Sequence, residues 1–497
     1  MSSGSSQSEK DQSGVVFPRG EDGRRSTAAT GRGVWADAVR GIDVPLAARI
    51  ERAPDWRKDY VEAVVAHTAA ATRTADGTVQ VARAGLASLD GRMRFETGGV
   101  ASSVGEAIAS ATEPLSSTSL RGQGERVKEL VIPYRGEQLS GDRLRRQIDV
   151  WVSAGTIEAS CGAALGRVLD EPDWLDLSDR AFALLGAGAE LGPLAPLSSW
   201  GAHVVAIDVP RASVWDRVRA VARDGAGTLT VPGGEGEGQP GVDLLTRTPE
   251  VAAFLLTAAD GLPMTVGSYA YADGAKHVQV VHASDAIVAL LLRERPGTTY
   301  AELATPTDAF AVPQDVVADS RRRWAGRGWR GRIQAPIRAA VRGGLYAPAY
   351  ATVVEREDGA RVGIADELVP QQGPNYTLAK RIQRWRATVA QADGHQVSVN
   401  VAPATNTRSV TKNRALAAAY AGAGRFGVEV FAPQSSRVLM AALLVHDLRA
   451  EVPPPVHPDD LFVSGAAHGG LWRAAYDLRS VIGLAAVAGL PAALRRR

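Results

Sequence analysis

Residues 181–211, AFALLGAGAELGPLAPLSSWGAHVVAIDVPR, decide the fold. The run from Phe182 to Leu185 is apolar throughout and predicts a strand buried on both faces. A turn holding Gly186, Gly188 and Gly192 follows, and Leu191, Leu194 and Leu197 suggest a short helix with one apolar face. Residues 202–207 predict a second strand, with Asp208 at its end. Strand, glycine turn, helix, strand and acidic residue within about thirty residues is the order that dinucleotide binding needs. Glycines let the backbone approach a pyrophosphate, and a carboxylate ending the second strand can accept hydrogen bonds from ribose hydroxyls. The spacing is G-x-G-x-x-x-G, one residue longer than the usual fingerprint, so an unliganded strand-to-helix turn would look similar.

Downstream, the alternation continues. A helix is expected over 213–223 and a strand over 227–231, ending in a Gly/Glu-rich loop. Val242 to Leu245 is short and apolar, with Asp243 placed to lie near an adenine ring. Pro249 opens a helix reaching Thr257, Met264 to Tyr269 reads as a strand, and His277 to Leu292 as a largely helical stretch. Tyr300 to Ala304 is a further strand, leading into TPTDAF. The alternation argues for a doubly wound parallel sheet of Rossmann type in the α/β class.

Arginine then interrupts the pattern. Arg321, Arg322, Arg323, Arg327, Arg330, Arg332, Arg338 and Arg342 fall in one segment with two tryptophans and no acidic residue. This predicts a basic amphipathic helix broken by glycine and Pro336. Its readings are a solvated helical insertion, a lid over an acidic or lipid-like substrate, or a peripheral contact with anionic lipid.

Beyond the insertion, NYTLAK places Tyr376 and Lys380 four apart, on one face of a helix. A lysine ammonium near a phenol stabilises the phenolate, which suits the tyrosine to proton transfer. QVSVNV then reads as an alternating strand ending in APATNT. With the glycine turn and the acidic residue after the second strand, Tyr-x-x-x-Lys and V-N-x-x-P make four features in order. That set resembles the short-chain dehydrogenase/reductase superfamily over residues 180–448. The resemblance implies Gly186, Gly188 and Gly192 at the pyrophosphate of NAD or NADP, Asp208 at the adenosine ribose, and Tyr376 as proton donor. It also implies Lys380 at the nicotinamide ribose, Asn400 and Pro403 in the strand and loop over the nicotinamide, and Thr405 or Thr407 at its carboxamide. Asp208 favours NAD. The family's serine is missing from the residues before Tyr376, and Thr305 or Thr307 could replace it. GSYAYADG stands where the family carries Asn-Asn-Ala-Gly.

Length and composition frame this reading. The 497 residues carry a net charge of only +2 and are 45% hydrophobic, which gives no global case for nucleic acid. One cysteine, Cys161, excludes an intramolecular disulfide and reads as a small core residue. No Cys/His cluster has metal-ligand spacing. His468, in a glycine-flanked loop, reads as a capping or packing residue. The polar N-terminus lacks the apolar core of a secretory signal, and no apolar run reaches the length of a membrane span. A cytoplasmic protein is the expectation, with peripheral membrane contact as its alternative. Residues 1–30 are expected to be a disordered tail and 31–178 a helical N-terminal extension. Residues 179–450 form the nucleotide-binding domain, with the insertion at about 311–360, and 451–497 a C-terminal extension. The resulting expectation is an NAD(P)-dependent oxidoreductase of a small, apolar substrate, with homo-oligomers open. A non-catalytic nucleotide-binding scaffold and an S-adenosylmethionine-dependent methyltransferase are the alternatives, the last because it too has a glycine turn and an acidic second-strand end.

Overall fold

The computed structural model describes residues 14–110, 114–233 and 240–495. Six parallel strands form its centre: β1 (Ala181–Leu185), β2 (His203–Ile207), β3 (Thr228–Pro232), β4 (Met264–Ser268), β5 (Thr299–Ala304) and β6 (Val397–Val401). Their order across the sheet is β3-β2-β1-β4-β5-β6. This is the doubly wound Rossmann arrangement, whose strand order reverses between β1 and β4. Ligands of such sheets bind in the crevice beyond the strand ends at that reversal. Ser117–Arg121 adds an antiparallel seventh strand outside β3.

The strands read as unbroken apolar runs because both faces are covered. Phe182 and Leu184 of β1 join one core with the helix Pro433–Arg449 and the helix Ala159–Asp170. Ala181, Ala183 and Leu185 join another with Phe254, Ile287 and Leu291. The helices Ala275–Glu294 and Gly373–Ala392 pack on each other on that second side. Ala275–Glu294 is long and apolar enough to cross a bilayer by length and composition, contrary to the expectation of no such run. Here it is a core helix with His277, His282 and Asp285 buried in its flank.

Two expectations about the N-terminal region need correction. Residues 14–30 are not a tail: Gly14–Val16 pairs with Arg94–Thr97, Val15 to Phe17 are buried, and a helix runs from Thr27 to Arg40. Three consecutive apolar residues, GVVF without its glycine, give this strand its burial energy. The tail expectation otherwise falls on residues 1–13, which lie outside the described residues, as does most of the Gly/Glu-rich loop after β3. Residues 31–178 are not wholly helical either, since Ser117–Arg121 extends the Rossmann sheet and Ile132–Tyr134 pairs with Glu137–Leu139.

The insertion is closed at its neck by a small antiparallel sheet, Ala309–Pro313 with Arg361–Asp366 with Val353–Glu355. Within it, two helices, Gln314–Ala325 and Trp329–Ala340, break at Gly326–Gly328. Pro336 lies inside the second helix without ending it.

Candidate functional site

The crevice at the strand reversal is built from close backbone contact. Gly186 has φ +92°, and a Cβ there would lie 2.5 Å from the backbone of Ala270, just after β4. The amide of Tyr269 donates to Leu185 O at 2.9 Å. So the segment GSYAYADG seals the glycine turn onto β4, and only glycine permits that approach. Gly188 packs against Val214 and Asp208, and its amide donates to Asp208 Oδ2 at 2.7 Å. Gly192 bonds back to Ala189 O and precedes the short helix Leu194–Ser199.

Asp208 therefore works first for the protein. Oδ1 accepts from the Val209 amide at 2.8 Å while Oδ2 holds the turn. Burial raises its pKa above the ordinary carboxylate value, against the opposing backbone bonds and the nearby Arg217 and Arg211. Lone pairs remain for ribose hydroxyls, since a carboxylate offers about four acceptor directions. Asp243 lies one residue beyond Val242, whose amide donates to Asp208 O, and its own carboxylate caps the Leu245 amide.

Cationic groups ring the same turn. Arg437 donates twice to Glu190 O, at 3.1 and 2.7 Å, and Arg217 donates to Gly188 O. Glu190 accepts from the Arg408 amide at 2.9 Å, with the Arg408 guanidinium 3.6 Å away. The Glu190 carboxylate is thus an anion held by the Arg408 amide and guanidinium, while Arg437 and Arg217 bind backbone carbonyls of the turn. Those groups have the charge and donors that a pyrophosphate requires, and in that respect the residues fit a dinucleotide.

At the far side of the crevice stands a second constellation. β5 ends at Ala304, and the hydroxyl of the next residue, Thr305, lies beside the Tyr376 phenol and lowers its pKa. Thr305 Oγ1 lies 2.9 Å from Thr307 Oγ1, which in turn accepts from Gln372 Nε2 at 2.7 Å. Thr305 is therefore the hydroxyl at the tyrosine, and Thr307 stands one bond further out. Asp308 fixes this loop: it is buried and receives Arg381 at 2.9 Å and Arg384 at 2.8 Å, both from the helix that carries Tyr376. The insertion separates Thr305 from Tyr376 in sequence, and the Asp308 clamp restores their contact in space.

Lys380 lies one turn after Tyr376. Its Nζ donates to Leu303 O at 3.2 Å and to Gln383 Oε1 at 2.7 Å, and Gln383 reaches Ser268 at the end of β4. Beneath it, Glu302 of β5 is buried with neither carboxylate oxygen hydrogen-bonded. Burial raises Glu302 to about 7, with Lys380 and Arg384 opposing, while burial also lowers Lys380 below its ordinary value. Tyr376 is raised too, because its burial outweighs the Thr305 hydroxyl beside it. That direction is opposite to the acidified phenol expected from a neighbouring lysine, and a phenol so raised is neutral at pH 7.

Three residues join this site that the sequence pattern did not single out. His277 packs 5.4 Å from the Tyr376 ring, ring centre to ring centre, with Tyr271 against both. Burial holds His277 down to about 3, helped by Lys380, so it is neutral. Tyr420, from the helix Arg414–Gly422, is pushed up to about 12 by burial and by Tyr376, which places that helix beside the site. Tyr271 and Lys276 are five apart, a spacing that does not pair side chains on a helix, and nothing local links that stretch with Tyr376. Only the packing of Ala275–Glu294 on Gly373–Ala392 does so.

The residues after β6 have other work. Asn400 Nδ2 donates to Asp447 at 2.9 Å and to Ser398, and Asn400 lines a water-sized cavity with Leu191, Pro193, Tyr269 and Glu302. Thr405 is buried between Pro403 O and Ser436, each at 2.7 Å. Its hydroxyl is spent there, which corrects its assignment to a carboxamide. Thr407 bonds Ser409 at the start of the helix Arg408–Lys412. Elsewhere, Cys161 is fully buried, and His468 accepts from the Gly470 amide and meets Glu158 at 2.8 Å, a packing role.

No family model matches the sequence, and no curated protein matches it. Among solved structures, the terminal R domain from the myxalamid PKS-NRPS biosynthetic pathway is similar over 61% of this chain and 69% of that one. Identity is 15% and the TM-score 0.30. An overlap that loose gives no guide to residues or chemistry, which rest on the geometry above.

Proposed function

We propose that this protein is a nicotinamide-dependent oxidoreductase of the short-chain dehydrogenase/reductase kind, working as a carbonyl reductase. The Thr305 hydroxyl beside the Tyr376 phenol carries the reading, with Lys380 one helical turn on and the glycine turn at the same sheet edge. A bound dihydronicotinamide would supply the hydride to the carbonyl carbon. Tyr376, a neutral phenol, gives its proton to the oxygen as negative charge develops there. Thr305 orients that phenol and offers a second hydroxyl to the same oxygen. Thr307 extends the hydroxyl chain away from Tyr376, a path for its reprotonation. Lys380, anchored to Leu303 O, would hold the ribose side of the cofactor, and the arginines around Glu190 its phosphates, beside the turn at Gly186 and Gly188.

Asp208 favours NADH over NADPH because a carboxylate repels a 2′-phosphate. Arg217 and Arg211 stand beside it and weaken that preference. Titration with NADH and NADPH, followed by fluorescence, tests the reading at its base. Micromolar binding of either is expected, and no binding of both overturns it. Tyr376→Phe should then lose at least 100-fold in kcat toward aldehydes or ketones while keeping cofactor affinity. A variant with intact turnover would leave the tyrosine without a catalytic role.

A further inference from the structure

The insertion carries a surface that the reductase reading does not use. In the helix Trp329–Ala340 none of the residues is buried. Trp329, Ile333 and Ile337 recur every four residues, on one stripe, and are 68%, 55% and 39% exposed. Val341 extends the stripe at 42%. Monomeric proteins seldom leave such a row of large apolar side chains in water.

The charges around it are of one sign. From Ser320 to Val354 the sequence has eight arginines and no aspartate or glutamate. Arg322 and Arg323 share Asp319. Among the described residues, Arg321, Arg330, Arg332, Arg338 and Arg342 have no acidic partner within ion-pair distance. The helix is nevertheless held in place on its inner side. Gln334 accepts from Tyr476 Oη at 3.0 Å and from Arg327 Nη1 at 3.0 Å, and Arg327 lies over the Trp324 ring. The apolar stripe is open to solvent, and Arg330 and Arg338 flank it on the Gln334 side, exposed, with the Arg338 guanidinium 5.6 Å from the Trp324 ring.

We infer that this helix docks in the plane of an anionic lipid surface. Indole and isoleucine side chains enter the acyl boundary while arginines reach phosphates along the flanks. The unpaired positive charge identifies the partner as anionic. The aliphatic stripe favours lipid over nucleic acid, whose recognition uses phosphate contacts and stacking and gains nothing from Ile333 and Ile337. The inference stands apart from the reductase reading and is tested without turnover.

The test is co-sedimentation of the full chain with vesicles of phosphatidylcholine, with and without 30% phosphatidylglycerol. Binding at least tenfold stronger with the anionic lipid is expected, weakening as salt is raised from about 0.1 to 0.5 M. The variant R330Q/R332Q/R338Q should lose most of that binding, and Ile333→Ser with Ile337→Ser should lose it as well. These side chains are exposed, so the fold should survive, as circular dichroism would verify. Equal binding to both vesicles, binding to neither, or full binding by either variant overturns the inference. So does tighter binding to duplex DNA than to anionic vesicles.

Discussion

Asp308 is the residue on which the site's geometry turns. Its buried carboxylate meets two buried guanidiniums, and removing it would leave two cations uncompensated. Asp308→Ala should destabilise the protein by about 3–5 kcal/mol in urea unfolding. Thr305 gives a milder, sharper probe. Thr305→Val removes the hydroxyl at Tyr376 and should lower kcat about 10–100-fold with cofactor affinity unchanged. Thr305→Ser, which keeps the oxygen, should restore most of that loss. Equal activity in the valine and serine variants would show that the hydroxyl does nothing for Tyr376.

At the scale of elements, the glycine turn and the C-terminal segment are each held by a specific contact. Gly186→Ala forces a Cβ into the Ala270 backbone at positive φ, a strain of about 1–3 kcal/mol. Loss of nucleotide binding should accompany it if the turn cradles phosphates. Gly422 and Gly489 let the helices Arg414–Gly422 and Leu478–Arg495 cross in contact, beside Tyr376 through Tyr420. Glu158, which precedes the helix Ala159–Asp170, ties that helix to the C-terminal segment through His468 and Arg473. Burial pushes its carboxyl up, yet the His468 and Arg473 hydrogen bonds and charges bring it down to about 2. A depressed folded pKa stabilises above the unfolded value of about 4.3 and is lost as pH falls toward 2. The thermal midpoint should therefore drop between pH 5 and 3 by several degrees more in the native chain than in Glu158→Gln. Parallel pH curves for the two would remove the carboxylate from the acid response.

For the whole molecule, the N-terminal helices form part of the core. Gly85 lies against the Trp385 ring, Gly31 touches Leu378, and Trp35 packs edge-on to Trp385. A chain starting at residue 93 would expose Leu378, Ile382 and Trp385, and should be recovered aggregated. A soluble, cooperatively folding truncation would show that the Rossmann unit stands alone. The face of the helix Gly373–Ala392 that carries Leu378 and Trp385 is thus covered by the chain itself.

What the sequence determined by itself was the sheet. Runs such as AFALL and VVAI are apolar on both faces, and their short length between glycine-bearing turns marks them as strands, with the acidic residue following the second. The Tyr376 helix was equally legible, because four-residue spacing is a local property. What tertiary structure decided was which groups meet. Thr305 reaches Tyr376 across seventy residues only because Asp308 draws Arg381 and Arg384 onto its loop. His277 and Tyr271 enter by helix packing, and Thr405 leaves because Ser436 claims its hydroxyl. The strand at Gly14–Val16 was hidden for the same reason: three apolar residues carry no periodicity, and their partner lies about eighty residues away. Short-range pattern records backbone preference, whereas a site is made of long-range contacts whose hydrogen bonds and desolvation costs exist only once the chain has closed on itself.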